Sequence, residues 1–254
     1  MIRNNLQFML AFSVPPDAPG DEPQCHLAGI IELCSPHTIV VNQAGKRFAD
    51  ESYFQGMVPA LRHFDPATHR YANLPCYLIF DQNYAESYSF AGGEAGAEIP
   101  GWVARTEDAP ALAAKLGINR GGLATTIRRF NDFCRMGADQ DFRRGELAWR
   151  LAHDTTLPIG HNQSLGPLDQ PPFYGIELAP AGGSSAGVLT DENAQVLNRR
   201  GEPLSGLYAI GNTAAKVEFG AGYQAGLTLA SGMTFAYLAV DHMLKASTPF
   251  SRDT

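Results

Sequence analysis

Gly206-Leu207-Tyr208-Ala209-Ile210-Gly211-Asn212, then Gly220-Ala221-Gly222-Tyr223-Gln224-Ala225-Gly226, then the run from Leu227 onward decide the fold. The first stretch is an apolar strand that stops at a glycine and a polar residue. The second is a glycine-rich loop. The third belongs to a segment, Ala225 to Val240, that is almost free of charge. A membrane span needs about 20 mostly apolar residues, so this segment reads as a buried helix of a soluble core. Strand, glycine loop and helix in that order bring backbone N–H groups and a helix dipole to one point, where ligands bind. Gly220, Gly222 and Gly226 give G-x-G-x-x-x-G. A dinucleotide fingerprint puts its first glycine directly after the strand and an acidic residue at the end of a second strand. Here Thr213 to Phe219 intervene and Asp241 lies inside the helix pattern. That leaves another ligand cradle, or a turn needed only for close packing.

Upstream, Phe173 to Leu178, Gly187 to Thr190 and Ala194 to Leu197 read as strands. Their turns are Asp191-Glu192-Asn193 and Arg200-Gly201-Glu202. Two helices precede them. Thr106 is expected to cap the first, with Leu112 and Leu116 on one face and Gly117 as its stop. Asn119 caps the second, whose stripe is Leu123, Ile127, Phe130 and Cys134, and Gly137 ends it. Cys76 to Phe80 is an extended run. Thr38 to Asn42, followed by Ala44-Gly45 and Lys46-Arg47-Phe48, reads as a hairpin. Residues 1–35 carry several prolines and little periodicity, an irregular lead-in.

The chain has 254 residues and a net charge of -7, and only 18% of its residues are charged, against about 25% on average. An acidic chain lacks the basic stripe that nucleic-acid binding requires. Its 10% aromatic content argues against disorder. Four cysteines without C-x-x-C spacing and seven histidines without a ligand pattern point away from a metal site. With no secretory signal, free thiols in a cytoplasmic protein are expected. Glu51 and Glu218 read as isolated carboxylates.

Five blocks together resemble the fumarate reductase/succinate dehydrogenase flavoprotein superfamily, most of all its 3-ketosteroid dehydrogenase branch of the Δ4 type. They are IVVNQAGKRFADESYFQG (39–56), ALAAKLGINRGGLATTIRRFNDFCRMGADQDF (111–142), PPFYGIELAP (171–180), GVLTDENAQVLNRRGEPLSGLYAIGN (187–212) and GYQAGLTLASGMTFAYLA (222–239). The resemblance covers about 36 to 245. It implies an α+β chain with a cap, or substrate, domain at 36–165. Residues 166–254 would be the C-terminal part of an FAD-binding α/β domain. The G-x-G-x-x-G Rossmann unit of that family is not found in this sequence, so the chain looks like the C-terminal part of such an enzyme.

FAD is the implied cofactor. Asn212 is implied at its ribityl or pyrophosphate region, and the backbone of Gly226, Leu227, Thr228 and Leu229 at the pyrimidine edge. Tyr53 and Tyr223 are the implied catalytic tyrosines, polarising a ketone or moving a proton while hydride passes to flavin N5. Ala225 stands where that branch has a serine. The fumarate reductase histidines and arginine have no counterpart at Ala179 to Ser185 or Gly220 to Tyr223, so an uncharged steroid-like ketone is the expected substrate. The alternative is a non-catalytic relative, or a subunit that needs a Rossmann-bearing partner. Exposure of the last helix by a missing half predicts such a partner or a homo-oligomer.

Overall fold

The structure is a computed structural model that describes residues 2–3, 9–16, 22–28, 32–146, 162–181, 187–215 and 226–247. In chain order the elements are β1 (Ile2–Arg3), β2 (Met9–Val14), β3 (Gln24–Leu27), β4 (Thr38–Asn42), α1 (Phe54–Leu61), β5 (Phe64–Asp65), β6 (Arg70–Tyr71), β7 (Cys76–Asp81), α2 (Gln82–Ser87), β8 (Ala104–Thr106), α3 (Ala109–Leu116), α4 (Arg120–Met136), β9 (Phe173–Ala181), β10 (Gly187–Val188), β11 (Gln195–Leu197), β12 (Pro203–Tyr208) and α5 (Leu227–Ser247). This mixture of helices and antiparallel sheet is the expected α+β class. The chain divides into two units, Met9–Gly182 and Met1–Phe8 with Gly183–Thr254.

In the Met9–Gly182 unit, one antiparallel sheet runs β3-β2-β9-β7-β4, with β8 also paired to β9. Side chains alternate across a strand, so a strand buried on both faces needs an unbroken apolar run. β4 and β7 have one. Val40, Leu78 and Phe80 join Leu10, Phe12, Met57, Leu61 and Tyr84 on one face. Ile39, Val41, Tyr77 and Ile79 join Leu112, Leu123, Ile127 and Phe130 on the other. Thus α1 and α2 cover one face, and α3 and α4 the other.

The helix caps are local chemistry and fall close to expectation. Asn119 Oδ1 accepts from Gly122 N, and Gly117 and Gly137 close their helices in left-handed conformation. The cap of α3 is Asp108, however, whose carboxylate accepts from Ala111 N at 2.7 Å. Thr106 instead ends β8 and donates to Asp108 O. The expected 38–48 hairpin also gives way. Asn42 N bonds Lys46 O at 3.0 Å, but β4 takes β7 as its partner over its whole length. The apolar length of β7 buries more than Lys46-Arg47-Phe48 would. Residues 9–14 and 24–27 form a ribbon, with β2 pairing both β3 and β9.

In the other unit, β1 pairs β10 and β11 pairs β12, both antiparallel. Val188 N donates to Thr213 O at 3.0 Å and Ala215 N to Val188 O at 2.8 Å, which ties residues 213–215 to β10. A Cβ on Gly187 would lie 2.4 Å from the backbone carbon of Ala214, so only glycine permits that approach. The helix expected to be buried is not. α5 exposes Leu229, Met233, Tyr237, Val240 and Leu244, and β12 is exposed along most of its length. No helix among the described residues is long and apolar enough to cross a membrane.

Candidate functional site

Tyr53 sits at the N-cap of α1, with φ -122° and ψ 80°. The turn before it is fixed by a buried charge cluster. Glu51 Oε1 accepts from Arg47 Nε at 2.7 Å and from Val40 N at 3.1 Å, and Oε2 accepts from Arg47 Nη2 at 2.7 Å. Arg47 Nη2 also donates to Asp139 Oδ2 at 2.8 Å. Arg144 Nη1 lies 3.3 Å from Glu51 Oε2, and its guanidinium donates to the carbonyls of Thr38, Ser35 and Leu33. Two arginines against two carboxylates leave no net charge. Burial alone would raise the Glu51 and Asp139 carboxyls. The arginines and their hydrogen bonds outweigh it, and both stay below the usual carboxylate range. Burial pulls the Arg144 guanidinium down, while Glu51 and Asp139 hold Arg47 up.

One residue on, Ser52 N and Oγ both donate to Asp50 Oδ1, at 2.8 and 2.6 Å. Ser52 Oγ accepts from Gly145 N at 2.9 Å. Burial raises the Asp50 carboxyl against the Ser52 bonds. Tyr53 N donates to Asp50 O and Gly56 N to Tyr53 O. The backbone of Tyr53 is therefore fastened, while its half-buried side chain makes no capping bond and its hydroxyl bonds none of the described residues. A phenol O–H both donates and accepts, so this one is available to a ligand.

The second candidate cluster lies in the other unit. Tyr208 OH and His242 Nδ1 are 2.8 Å apart, and a Cβ on Gly232 would lie 3.7 Å from Gly211 Cα. From Tyr208 to Gly211 the chain advances about 10 Å; from His242 back to Gly232 the helix covers about 15 Å. The chain after β12 therefore runs antiparallel to α5, with Gly211 against Gly232. Gly226 opens that helix at φ +85°, and its carbonyl accepts from Ala230 N. Leu227, Thr228 and Leu229 follow, and first-turn N–H groups have no acceptor inside their own helix. Asn212 and Gly226–Leu229 thus belong to the same unit. Tyr53 belongs to the other unit, and Tyr223 lies outside the described residues, as do Glu218, Gly220 and Gly222.

Glu51 is no isolated carboxylate but the centre of the clamp beneath Tyr53. Outside a helix its spacing of four from Arg47 gives no sequence signal, and Arg144 has no local signal either. Among the described residues, the cavities of the Met9–Gly182 unit include these two. One of about 520 Å³ lies between Lys46-Arg47 and α4, walled by Phe130, Phe133 and Phe142. One of about 640 Å³ lies over β2, β3 and β9 beside Trp102. Tyr53 lines neither.

The chain is 40% identical over 211 residues to 4-oxocyclohexanecarboxylate 2-dehydrogenase of Sinomonas cyclohexanicum, covering 82% of this chain and 37% of that protein. It is 38% identical over 226 residues to 3-oxosteroid 1-dehydrogenase of Mycobacterium tuberculosis, covering 84% of this chain and 39% of that one. It therefore spans less than two-fifths of the length of these relatives. The crystal structure of 3-ketosteroid delta1-dehydrogenase from Sterolibacterium denitrificans, in complex with 1,4-androstadiene-3,17-dione, superposes with a TM-score of 0.79 at 28% identity over 95% of this chain and 43% of that one. The 3-ketosteroid-delta4-(5alpha)-dehydrogenase of Rhodococcus jostii shares the fold, with a TM-score of 0.54 at 20% identity over 92% of this chain and 40% of that one. The FAD binding domain family matches residues 3–229, and the chain belongs to that family.

Proposed function

We propose that this chain is part of an FAD-dependent dehydrogenase that desaturates the carbon–carbon bond beside a ring ketone. The observation that carries this reading is the identity, over more than four-fifths of the chain, to two dehydrogenases whose names share a ring ketone, an oxocyclohexane and an oxosteroid. The N-terminus of α5 fits the flavin. It is opened by Gly226 at φ +85°, and its dipole favours negative charge. Asn212 and the backbone of Gly226, Leu227, Thr228 and Leu229 would hold the cofactor. FAD, when bound, supplies the acceptor for a hydride.

The chain's own part is proton management. Tyr53 donates its hydroxyl hydrogen bond to the ketone oxygen, which weakens the adjacent C–H bond. An ionised Tyr223 would take the proton from that carbon and become a neutral phenol, and the substrate would lose a hydride from the neighbouring carbon, one proton and one hydride in all. Which carbon pair reacts depends on how the ring lies over Tyr53, and product analysis separates Δ1 from Δ4 desaturation.

A second reading makes cofactor binding conditional. The exposed apolar stripe of α5 favours a requirement for polypeptide carrying a G-x-G-x-x-G turn, from a partner chain, to cover it and hold the pyrophosphate.

The deciding experiment is the visible spectrum of the purified chain before and after FAD. Bound flavin that bleaches with 4-oxocyclohexanecarboxylate or a 3-oxosteroid supports the first reading. Flavin bound only after a G-x-G-x-x-G chain is added supports the second. Bound flavin that neither ketone bleaches overturns the dehydrogenase assignment.

A further inference from the structure

Tyr53 is held from behind and stopped in front, and the stop is a missing methyl group. A Cβ built on Gly56 lies 3.1 Å from Tyr53 Cδ1 and 3.8 Å from its Cε1, and no other described atom outside α1's own backbone and the chain neighbours comes within 4 Å. The ring therefore folds back over the first turn of α1 and rests on the bare Cα of Gly56. Gly56 N also donates to Tyr53 O at 2.8 Å, so one residue fixes both the backbone and the ring. Behind the tyrosine, Glu51 is fully buried in its arginine clamp, and Ser52 is tied to Asp50 and Gly145. The Cα of Tyr53 cannot retreat to make room.

Local helix stability calls for a different residue. Glycine inside a helix costs about 1 kcal/mol relative to alanine, and Gly56 is not in the left-handed region where glycine is required. Alanine would suit α1 and would push the ring by a few tenths of an ångström. We propose that Gly56 is a positioning residue for the Tyr53 phenol, seating the ring while the Glu51 clamp anchors its backbone. This rests on the reading of Tyr53 as the residue that meets the ketone.

Stability and positioning respond to Gly56→Ala with opposite signs, which makes the proposal testable in the full chain. The melting temperature should stay level or rise. In a ¹³C-tyrosine NMR spectrum, the ring signal assigned by its loss in Tyr53→Phe should move, while those of buried Tyr84 and Tyr174 stay. In the flavin-loaded enzyme, kcat should fall roughly tenfold with KM little changed. Adding Gly56→Ala to Tyr53→Phe should cost nothing further, since the two act through one ring. An unmoved Tyr53 signal overturns the seat whatever the activity. Full turnover by Tyr53→Phe instead overturns the reading of Tyr53, so the two failures are distinguishable.

Discussion

The Glu51 carboxylate shows what burial demands of a single residue. Its Oε2 meets both Arg47 and Arg144, its Oε1 accepts from Arg47 and Val40 N, and removing the charge leaves those arginines facing each other in the interior. Breaking a buried pair costs about 3–5 kcal/mol, so Glu51→Gln should lower stability by that amount in denaturant unfolding. A loss under about 1 kcal/mol would mean that the cluster is hydrated. Its pH dependence has a definite sign. The folded carboxyls of Glu51 and Asp139 are depressed. Their contribution is complete above the unfolded value of about 4 and is lost as pH falls through the lower folded values. Asp50 and Asp81 are raised by burial, so their contribution grows as pH falls and flattens the limb. Thermal melts in acid should show a net decline that Asp139→Asn makes shallower; an unchanged slope would contradict the depressed value. Little of this was legible beforehand. Arg47 and Glu51 are four apart on a non-helical turn, where that spacing predicts no contact, and Arg144 reaches them only through the tertiary fold.

Elements were legible where their punctuation is local. Asn119, Gly117 and Gly137 act within one turn of themselves, and α4 came out with its stripe on Leu123, Ile127 and Phe130 buried. Strand partners were not legible, because pairing is decided by which other apolar run is available, and β7 outcompeted the short segment after Gly45. The contact that docks α4 on that turn is equally invisible in sequence. A Cβ on Gly122 would lie 2.0 Å from Ala44 O, and one on Gly45 2.3 Å from Leu123 N, so the two backbones touch. Thr126 Oγ1 donates to Gly45 O at 2.6 Å across the same contact. Gly122→Ala should therefore destabilise by about 1–3 kcal/mol through overpacking, against its helix propensity. Its neighbour is the control. A Cβ on Gly121 meets only Asn119 Oδ1, at 3.6 Å, and Gly121→Ala should be neutral or stabilising by up to about 1 kcal/mol. Equal effects at the two positions would contradict the close approach.

At the scale of the whole molecule, the strand before Asn212 and the helix from Leu227 were readable because each is written in consecutive residues. The burial of the helix was not, because burial belongs to whatever packs against it. Leu229 is 71% exposed, Met233 67%, Tyr237 74% and Leu244 66%, at spacings that put them on one stripe of α5. An apolar stripe of this length on a chain with so few charges favours association in water. We expect the purified chain to show a mass in light scattering that rises with concentration, and to bind a dye that reports exposed apolar surface. Met233→Lys with Tyr237→Lys should abolish both. These residues lie beyond the first turn of α5, so its N-terminus remains intact. They are exposed, so folding should be unaffected, and the melting temperature of the variant should match that of the parent. If a G-x-G-x-x-G chain is the natural cover, adding it should dissolve the self-association and displace the dye, and the doubly substituted variant should fail to bind it. A parent chain that stays monomeric and dye-free at all concentrations would show that the stripe is shielded within the chain itself, and the second reading of its function would then lose its support.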